Sequence, residues 1–197
     1  MSGSSSDSEC NSDVLMLLSG GLDSAACLKF YLDLGRTVTT MFVDYQQPTA
    51  EMEYAASTFI SKFFGVELIT ISCNGMASKE PGLINARNAF LLSLALMEAP
   101  ASVSSIALGV HSGTNYKDCS TGFIQKMQDI FDIYAENGQK KIHIAAPFIE
   151  WNKHEIWMFA KNNDVPVDAT YSCERGGKMP CGECLSCLDM EALKRYA

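Results

Sequence analysis

The sequence has no apolar run near the ~20 residues that cross a bilayer, so a membrane-spanning helix is not expected. It has no internal repeat, which excludes solenoids and propellers. Basic residues are the minority: 15 Lys and Arg against 23 Asp and Glu give a net charge of −8. A surface of that sign does not gather nucleic acid or anionic membrane non-specifically, although it leaves room for a local basic patch. Residues 1–12 lack an apolar stretch and are rich in Ser and Asp. They are expected to be a disordered tail and not an export signal, which makes the cytoplasm the expected compartment. Thiols there stay reduced, so the eight cysteines are not read as four disulfides.

What is present describes a globular core: 47% of residues are hydrophobic and 19% charged over 197 residues. Val14 to Leu18 is a short continuous apolar run ending in a Gly-rich turn, as in a strand buried on both faces. Helical spacing follows from Ser24 to Leu34, then a β-branched strand from Thr37 to Val43. Met52, Ala55, Ala56, Phe59, Ile60 and Phe63 mark a second helix, and Val66 to Ile71 a third strand. Phe90 to Met97 is apolar all round and predicts a buried helix. Ser104 to Leu108 predicts a fourth strand. A helical stripe from Phe123 to Tyr134 precedes a fifth strand from Lys141 to Phe148. Asn152 and Glu155 form a capping box for a helix burying Ile156, Trp157 and Ala160. Strand alternating with helix predicts an α/β fold, a doubly wound parallel sheet of about five strands with ligands at the strands' carboxyl ends. The expected organisation is a tail over 1–12, one α/β domain over 13–169 and a small aperiodic module over 170–197.

The loop Ser19-Gly20-Gly21-Leu22-Asp23-Ser24 joins the first strand to the first helix. Glycines bring backbone close to a ligand, and the N–H groups at a helix start attract an anion. The loop is neither a Walker-type phosphate loop nor a dinucleotide fingerprint. An acid such as Asp23 in an anion site serves either to hold Mg²⁺ on phosphates or to fix the loop. The plain alternative is a turn in which Asp23 or Ser24 caps the helix. Near the C-terminus, Cys173 is followed by seven residues, Cys181, two residues, Cys184, two residues and Cys187. Four thiolates so spaced suit a tetrahedral zinc, ahead of an iron–sulfur cluster and of a redox dithiol.

The six-residue loop resembles the pyrophosphate-binding loop of the PP-loop ATP pyrophosphatase superfamily. Loop and cysteines together resemble its 7-cyano-7-deazaguanine synthase (QueC-like) family, from Val14 to about Cys187. The resemblance includes Asn85-Ala86-Arg87-Asn88, Gly109, Tyr116-Lys117-Asp118-Cys119, Asn152-Lys153-His154-Glu155, Thr170-Tyr171-Ser172-Cys173 and Cys181-Gly182-Glu183-Cys184-Leu185-Ser186-Cys187. It implies an adenine nucleotide alpha hydrolase-like, Rossmann-like fold and an AMP-forming ligase. ATP adenylates the carboxylate of 7-carboxy-7-deazaguanine, ammonia displaces AMP to give the amide, and a second ATP leads to the nitrile. ATP, Mg²⁺ and Zn²⁺ are the cofactors implied.

Ser19, Gly20, Gly21, Leu22, Asp23 and Ser24 would then hold pyrophosphate, with Arg87 and Lys153 as cationic clamps. Asp44, Tyr45 and Gly109 would lie at the adenosine; Asn88, Tyr116 and Asp118 at the acid. Asn88 has the alternative role of a helix N-cap, and His111 reads as structural. Cys173, Cys181, Cys184 and Cys187 are the metal ligands. The chain departs from the family in three places. Gln46-Gln47-Pro48-Thr49 stands where the family has Gly-Gln-Arg-His, the insert before the Arg-Asn element shortens to about Ser72 to Ile84, and Lys117 replaces a proline. Such changes fit a member that stops at the amide or conjugates another amine, such as a protein amine. Further alternatives are a tRNA-modifying PP-loop enzyme, against which the acidic charge stands, and a non-catalytic nucleotide-binding subunit. The oligomeric state stays open, a homodimer included.

Overall fold

In the computed structural model the described residues are 13–75, 84–111, 113–114, 116–136 and 140–195. The expected tail over 1–12 and most of the shortened insert lie outside them. The elements are β1 (Asp13–Leu17), α1 (Leu22–Asp33), β2 (Val38–Asp44), α2 (Ala50–Phe64), β3 (Leu68–Ser72), α3 (Arg87–Glu98), β4 (Val103–Leu108), α4 (Thr121–Glu136), β5 (His143–Ala145), α5 (Lys153–Asn162) and α6 (Leu185–Lys194). The five strands lie in the order β3-β2-β1-β4-β5, every neighbouring pair parallel. The doubly wound class expected from strand–helix alternation is the one observed.

Side chains alternate across β1 and so divide the interior in two. Val14 and Met16 pack with Leu28 of α1, Ile60 of α2 and Ile156 and Trp157 of α5. Leu15 and Leu17 pack on the other face with Leu92 of α3, Ile106 of β4 and Phe131 of α4. Leu193 of α6 joins the first of these cores, so the C-terminal segment is seated on the α/β layer.

Three expectations need correction. α3 is not buried all round: Asn88, Leu92 and Ala95 are its buried residues, and Met97 is 79% exposed. An outer-layer helix meets the sheet along one stripe, whatever its composition. Asn88 is not the helix N-cap: Ala86, in the left-handed region at φ 61°, holds that position. The fifth strand shrinks to His143–Ala145, the three residues that pair with Ser105 to Ala107 of β4. The capping box at Asn152 is as expected: the Glu155 N–H donates to Asn152 Oδ1 at 3.0 Å and the Asn152 N–H to Glu155 Oε2 at 2.7 Å.

Strand order reverses between β1 and β4, and at such a switch point the carboxyl ends of the strands open a crevice. The loop after β1 and the Gly109–His111 segment after β4 therefore meet. Gly109 makes the meeting close: a Cβ there would lie 2.5 Å from the Asp23 carbonyl oxygen and 2.8 Å from the Ser24 nitrogen. Backbone on both sides leaves nothing flexible to give way. Gly109→Ala is expected to lower stability by about 1–3 kcal/mol, measured by denaturant unfolding. An unchanged midpoint would mean that loop and strand do not meet this closely.

Candidate active site

The loop is shaped by missing side chains. Gly20 has φ +78°, and a Cβ on it would stand 2.7 Å from the Glu53 carbonyl oxygen and 2.8 Å from Ala56 Cβ. Only glycine meets both demands at once. The Gly20 carbonyl accepts the Tyr171 N–H at 2.9 Å, tying the loop to the cysteine-bearing segment. The cap of α1 is Gly21, not Asp23 or Ser24, and among the described residues no side-chain cap bond closes the helix start. Those donors stay available to an anion. Ser24 Oγ donates to the Gly21 carbonyl at 2.9 Å, and Ser19 Oγ donates to Ser24 Oγ at 3.2 Å.

Asp23 is the loop's charged centre. Lys153 Nζ donates to its Oδ1 at 2.6 Å and its Oδ2 at 2.7 Å, joining residues 130 apart in sequence. Lys153 is the first residue of α5, where the helix dipole disfavours a cation; the Asp23 carboxylate offsets this. His111 Nε2 lies 3.8 Å from Asp23 Oδ2. His111 is 5% exposed, and its Nδ1 is buried with no hydrogen-bond partner among the described residues. Burial holds its pKa below the ordinary imidazole value, against the pull of Asp23.

These residues wall a cavity of about 580 Å³ at the carboxyl end of the sheet. Ser19, Gly21, Leu22, Asp23, Ser24, Tyr45, Arg87, Asn88, Gly109, Tyr116, Lys153 and Cys173 line it. Gly20, Asp44 and Asp118 do not: Gly20 packs behind the loop, and Asp44 Oδ1 accepts the Gln46 N–H at 2.9 Å. Asp118 sits behind Asn88, whose Nδ2 donates to the Asp118 carbonyl at 3.0 Å. Burial pushes the Tyr45 phenol up to about 12, and the Arg87 guanidinium opposes that rise. Tyr45 meets Phe90 edge to face.

Sequence reasoning read His111 as structural and passed over Glu53, Glu174, Ser186 and Asp189, all of which border the cavity. For His111 a signal existed: it stands two residues beyond the glycine that ends β4. The others come from α2 and the cysteine segment, and no local pattern marks them.

The altered segment after β2 is a folded plug. Gln47 and Thr49 are buried. Gln47 Oε1 accepts the Tyr45 N–H at 2.9 Å, and its Nε2 donates to Glu53 Oε2 at 2.9 Å and to the Val43 carbonyl at 3.2 Å. The cysteine segment presses on this plug: at Gly176, φ +74°, a Cβ would lie 1.9 Å from the Pro48 carbonyl oxygen. Behind it, the sulfurs of Cys173, Cys181, Cys184 and Cys187 all lie within 4.8 Å of one another. The N–H groups of Glu183 and Cys184 donate to Cys181 Sγ at 3.5 and 3.3 Å, which brings that thiol down to about 6.

A parallel sheet with this Gly-rich loop at its switch point is the architecture of the PP-loop fold class. The family model for queuosine biosynthesis protein QueC matches residues 13–81 and 77–196. The chain belongs to the QueC family. It is 30% identical to the 7-cyano-7-deazaguanine synthase of Prochlorococcus marinus strain MIT 9312, covering 90% of this chain and 91% of the relative. Two solved structures share the fold. A predicted subunit of tRNA methyltransferase from Methanocaldococcus jannaschii aligns with TM-score 0.52 and 16% identity over 76% of this chain and 74% of that one. The U34-tRNA thiolase NcsA from Methanococcus maripaludis, with its 4Fe-4S cluster, aligns with TM-score 0.50 and 15% identity over 94% and 65%. Among the described residues no helix is long and apolar enough to cross a membrane.

Glu53 gives a pH test of the plug. Burial raises its carboxyl pKa, against the bonds from Gln47 and Thr49. A raised carboxyl binds its proton more tightly folded than unfolded. Stability from this group is therefore present at pH below the unfolded value and is lost as pH rises through the folded one. Glu53→Gln is expected to be more stable than the parent at pH 7, with the gap closing near pH 4, by urea unfolding across pH. A gap independent of pH would show that Glu53 is not desolvated.

Proposed function

We propose that this protein adenylates the carboxylate of a carboxylated 7-deazapurine, 7-carboxy-7-deazaguanine, with ATP and passes the activated acyl group to ammonia, releasing AMP and pyrophosphate. The observation that carries the reading is the Lys153–Asp23 pair. It puts a fixed ammonium beside uncapped helix N–H groups, on the wall of a cavity large enough for a nucleotide and a second heterocycle.

ATP enters as its magnesium complex. Ser19, Gly21, Leu22 and Ser24 receive the β- and γ-phosphates through backbone N–H groups and hydroxyls, while Gly20, behind the loop, gives it the turn that presents them. Asp23 orients Lys153, whose ammonium stabilises charge developing on the departing pyrophosphate. Arg87, across the cavity, bears on the α-phosphate or the acid. Tyr45, Gly109 and the backbone near Asp44 border the adenosine. Asn88, Tyr116 and the Asp118 turn that holds Asn88 border the deazapurine. The carboxylate oxygen attacks the α-phosphorus, pyrophosphate leaves, and ammonia replaces AMP at the acyl carbon. A second adenylation, at the amide oxygen, would lead to the nitrile.

One feature favours a variant of this chemistry. Pro48 and Thr49 stand where the family's Arg and His are expected, and the neighbouring Gln47 amide is spent on Glu53 and β2. A site without those groups suits a member that stops at the amide or accepts another amine. Mass spectrometry of products from 7-carboxy-7-deazaguanine, ATP, Mg²⁺ and ammonium distinguishes nitrile from amide. Asp23→Ala and Lys153→Met are each expected to lower pyrophosphate release about 100-fold. If release persists in both variants, the roles given to this pair are wrong.

The four cysteines would hold zinc. Around a tetrahedral ion with Zn–S near 2.3 Å, sulfurs stand ~3.8 Å apart; Cys181 Sγ and Cys187 Sγ are 3.9 Å apart. That spacing, with N–H groups stabilising the thiolate, fits the donor set. Bound zinc would be structural, fixing the segment that holds Gly20 and Pro48. Metal analysis of the purified protein is expected to give about one zinc per chain, and Cys184→Ser or strong chelation to lower the melting temperature. Iron with a visible charge-transfer band would replace zinc by a cluster.

A further inference from the structure

The Asp23–Lys153 pair, Arg87 and the loop account for the phosphates, but one wall of the cavity is left over. There His111 presents a ring that is 5% exposed and an Nδ1 without a partner among the described residues. Gly113, also on the cavity wall, keeps the space before that atom clear: a Cβ there would stand 2.9 Å from Nδ1. With its N–H on the Nε2 side, toward the Asp23 carboxylate at 3.8 Å, the ring offers Nδ1 as a lone-pair acceptor. A buried acceptor left unbonded is costly, and in a site it marks a place for a donor. The surrounding side chains give the donor's charge. Asp189 of α6 lines the same cavity and acts on the same ring, and Glu174, which accepts from Ser186 Oγ at 2.8 Å, lines it as well. The cations of the cavity, Lys153 and Arg87, belong to the phosphate end.

We propose that the space between His111 Nδ1 and the Asp189 carboxylate is the nucleophile's subsite, where ammonia is gathered as ammonium and held against the activated acyl carbon. This rests on the adenylation reading above. The location follows from it: the α-phosphate and its acyl group lie beside the pyrophosphate loop, and His111 is the neighbour of Asp23 on that loop. Asp189, exposed at the mouth, attracts the cation. The ammonium gives one proton to solvent; Nδ1 accepts an N–H of the ammonia that remains and aims its lone pair inward. The C–N bond forms from that pair as the acyl carbon–oxygen bond to AMP breaks, AMP leaves with the electrons of the broken bond, and the second proton passes from the adduct to solvent.

The test uses the full chain with 7-carboxy-7-deazaguanine, ATP, Mg²⁺ and ammonium chloride at fixed low ionic strength. Pyrophosphate exchange into ATP reads adenylation alone, and amide formation reads ammonia attack. His111→Ala is expected to raise the KM for ammonium about tenfold, the worth of one buried hydrogen bond. His111→Asn, which keeps an acceptor near the Nδ1 position, recovers most of that loss. Asp189→Asn raises the same KM about threefold, less with added salt, as an exposed charge should. The KM for ATP does not follow in any of the three. Asp189 is exposed, so its variant carries the test if His111→Ala does not fold. Wild-type exchange with an unmoved ammonium KM in the variants overturns the subsite alone. Ammonium and ATP KM values rising together also overturn it, since general damage to the loop would do that. No exchange in the wild type fails the adenylation reading and takes the subsite with it.

Discussion

The whole site depends on how closely the backbone of the loop after β1 packs against its neighbours. Gly20 lets the N-terminal turn of α2 touch the loop from behind, and Gly109 lets the end of β4 touch it from beside. Neither contact is a strong attraction. Each is a steric permission: with a β-carbon at either place, the loop would have to move. Because β1 and β4 are adjacent and parallel, this packing sets Asp23 against the residues that follow β4. His111 is near Asp23 for that reason alone.

Lys153 shows how the second half of the chain is tied to the first. A lysine at the first position of a helix opposes the dipole and would be placed elsewhere if stability alone decided. Asn152 and Glu155 stabilise the same helix start by reciprocal capping, so the helix tolerates the cation. The ammonium then reaches Asp23 with both carboxylate oxygens accepting. Asp23 and Lys153 are thereby held together on the wall of the cavity, at the start of two different helices.

The sheet was legible because buried parallel strands are short apolar runs and their helices have stripes; β1, β4 and the α5 cap followed directly. The loop was legible because Gly-Gly and the hydroxyls are contiguous. Other features were not, for physical reasons. An all-apolar stretch such as Phe90–Met97 does not reveal which side meets the sheet, and Met97 is left in solvent. The fifth strand is short because only three of its residues pair with β4, a fact of pairing and not of composition. His111 resembles any core histidine until its unbonded Nδ1 is seen. Glu53, Glu174 and Asp189 come to the cavity from separate elements through tertiary packing, which no local spacing encodes.

The cysteine segment is where an appended piece becomes part of the site. Tyr171 donates its N–H to Gly20, and Gly176 presses on the Pro48 carbonyl. The segment therefore grips both the Gly-rich loop after β1 and the plug that replaces the family's Arg-His pair. A stretch with so many turns and so little core has no means of holding that position by hydrophobic packing alone, apart from Leu193 and Met190 of α6. Four thiolates drawn to one ion would supply the missing rigidity. Glu174, Ser186 and Asp189 stand among and just after these cysteines in sequence, so an ion that stiffened the grip would also fix the acidic wall of the cavity. In this chain the four-cysteine cluster and the polar lining of the cavity are one piece of structure.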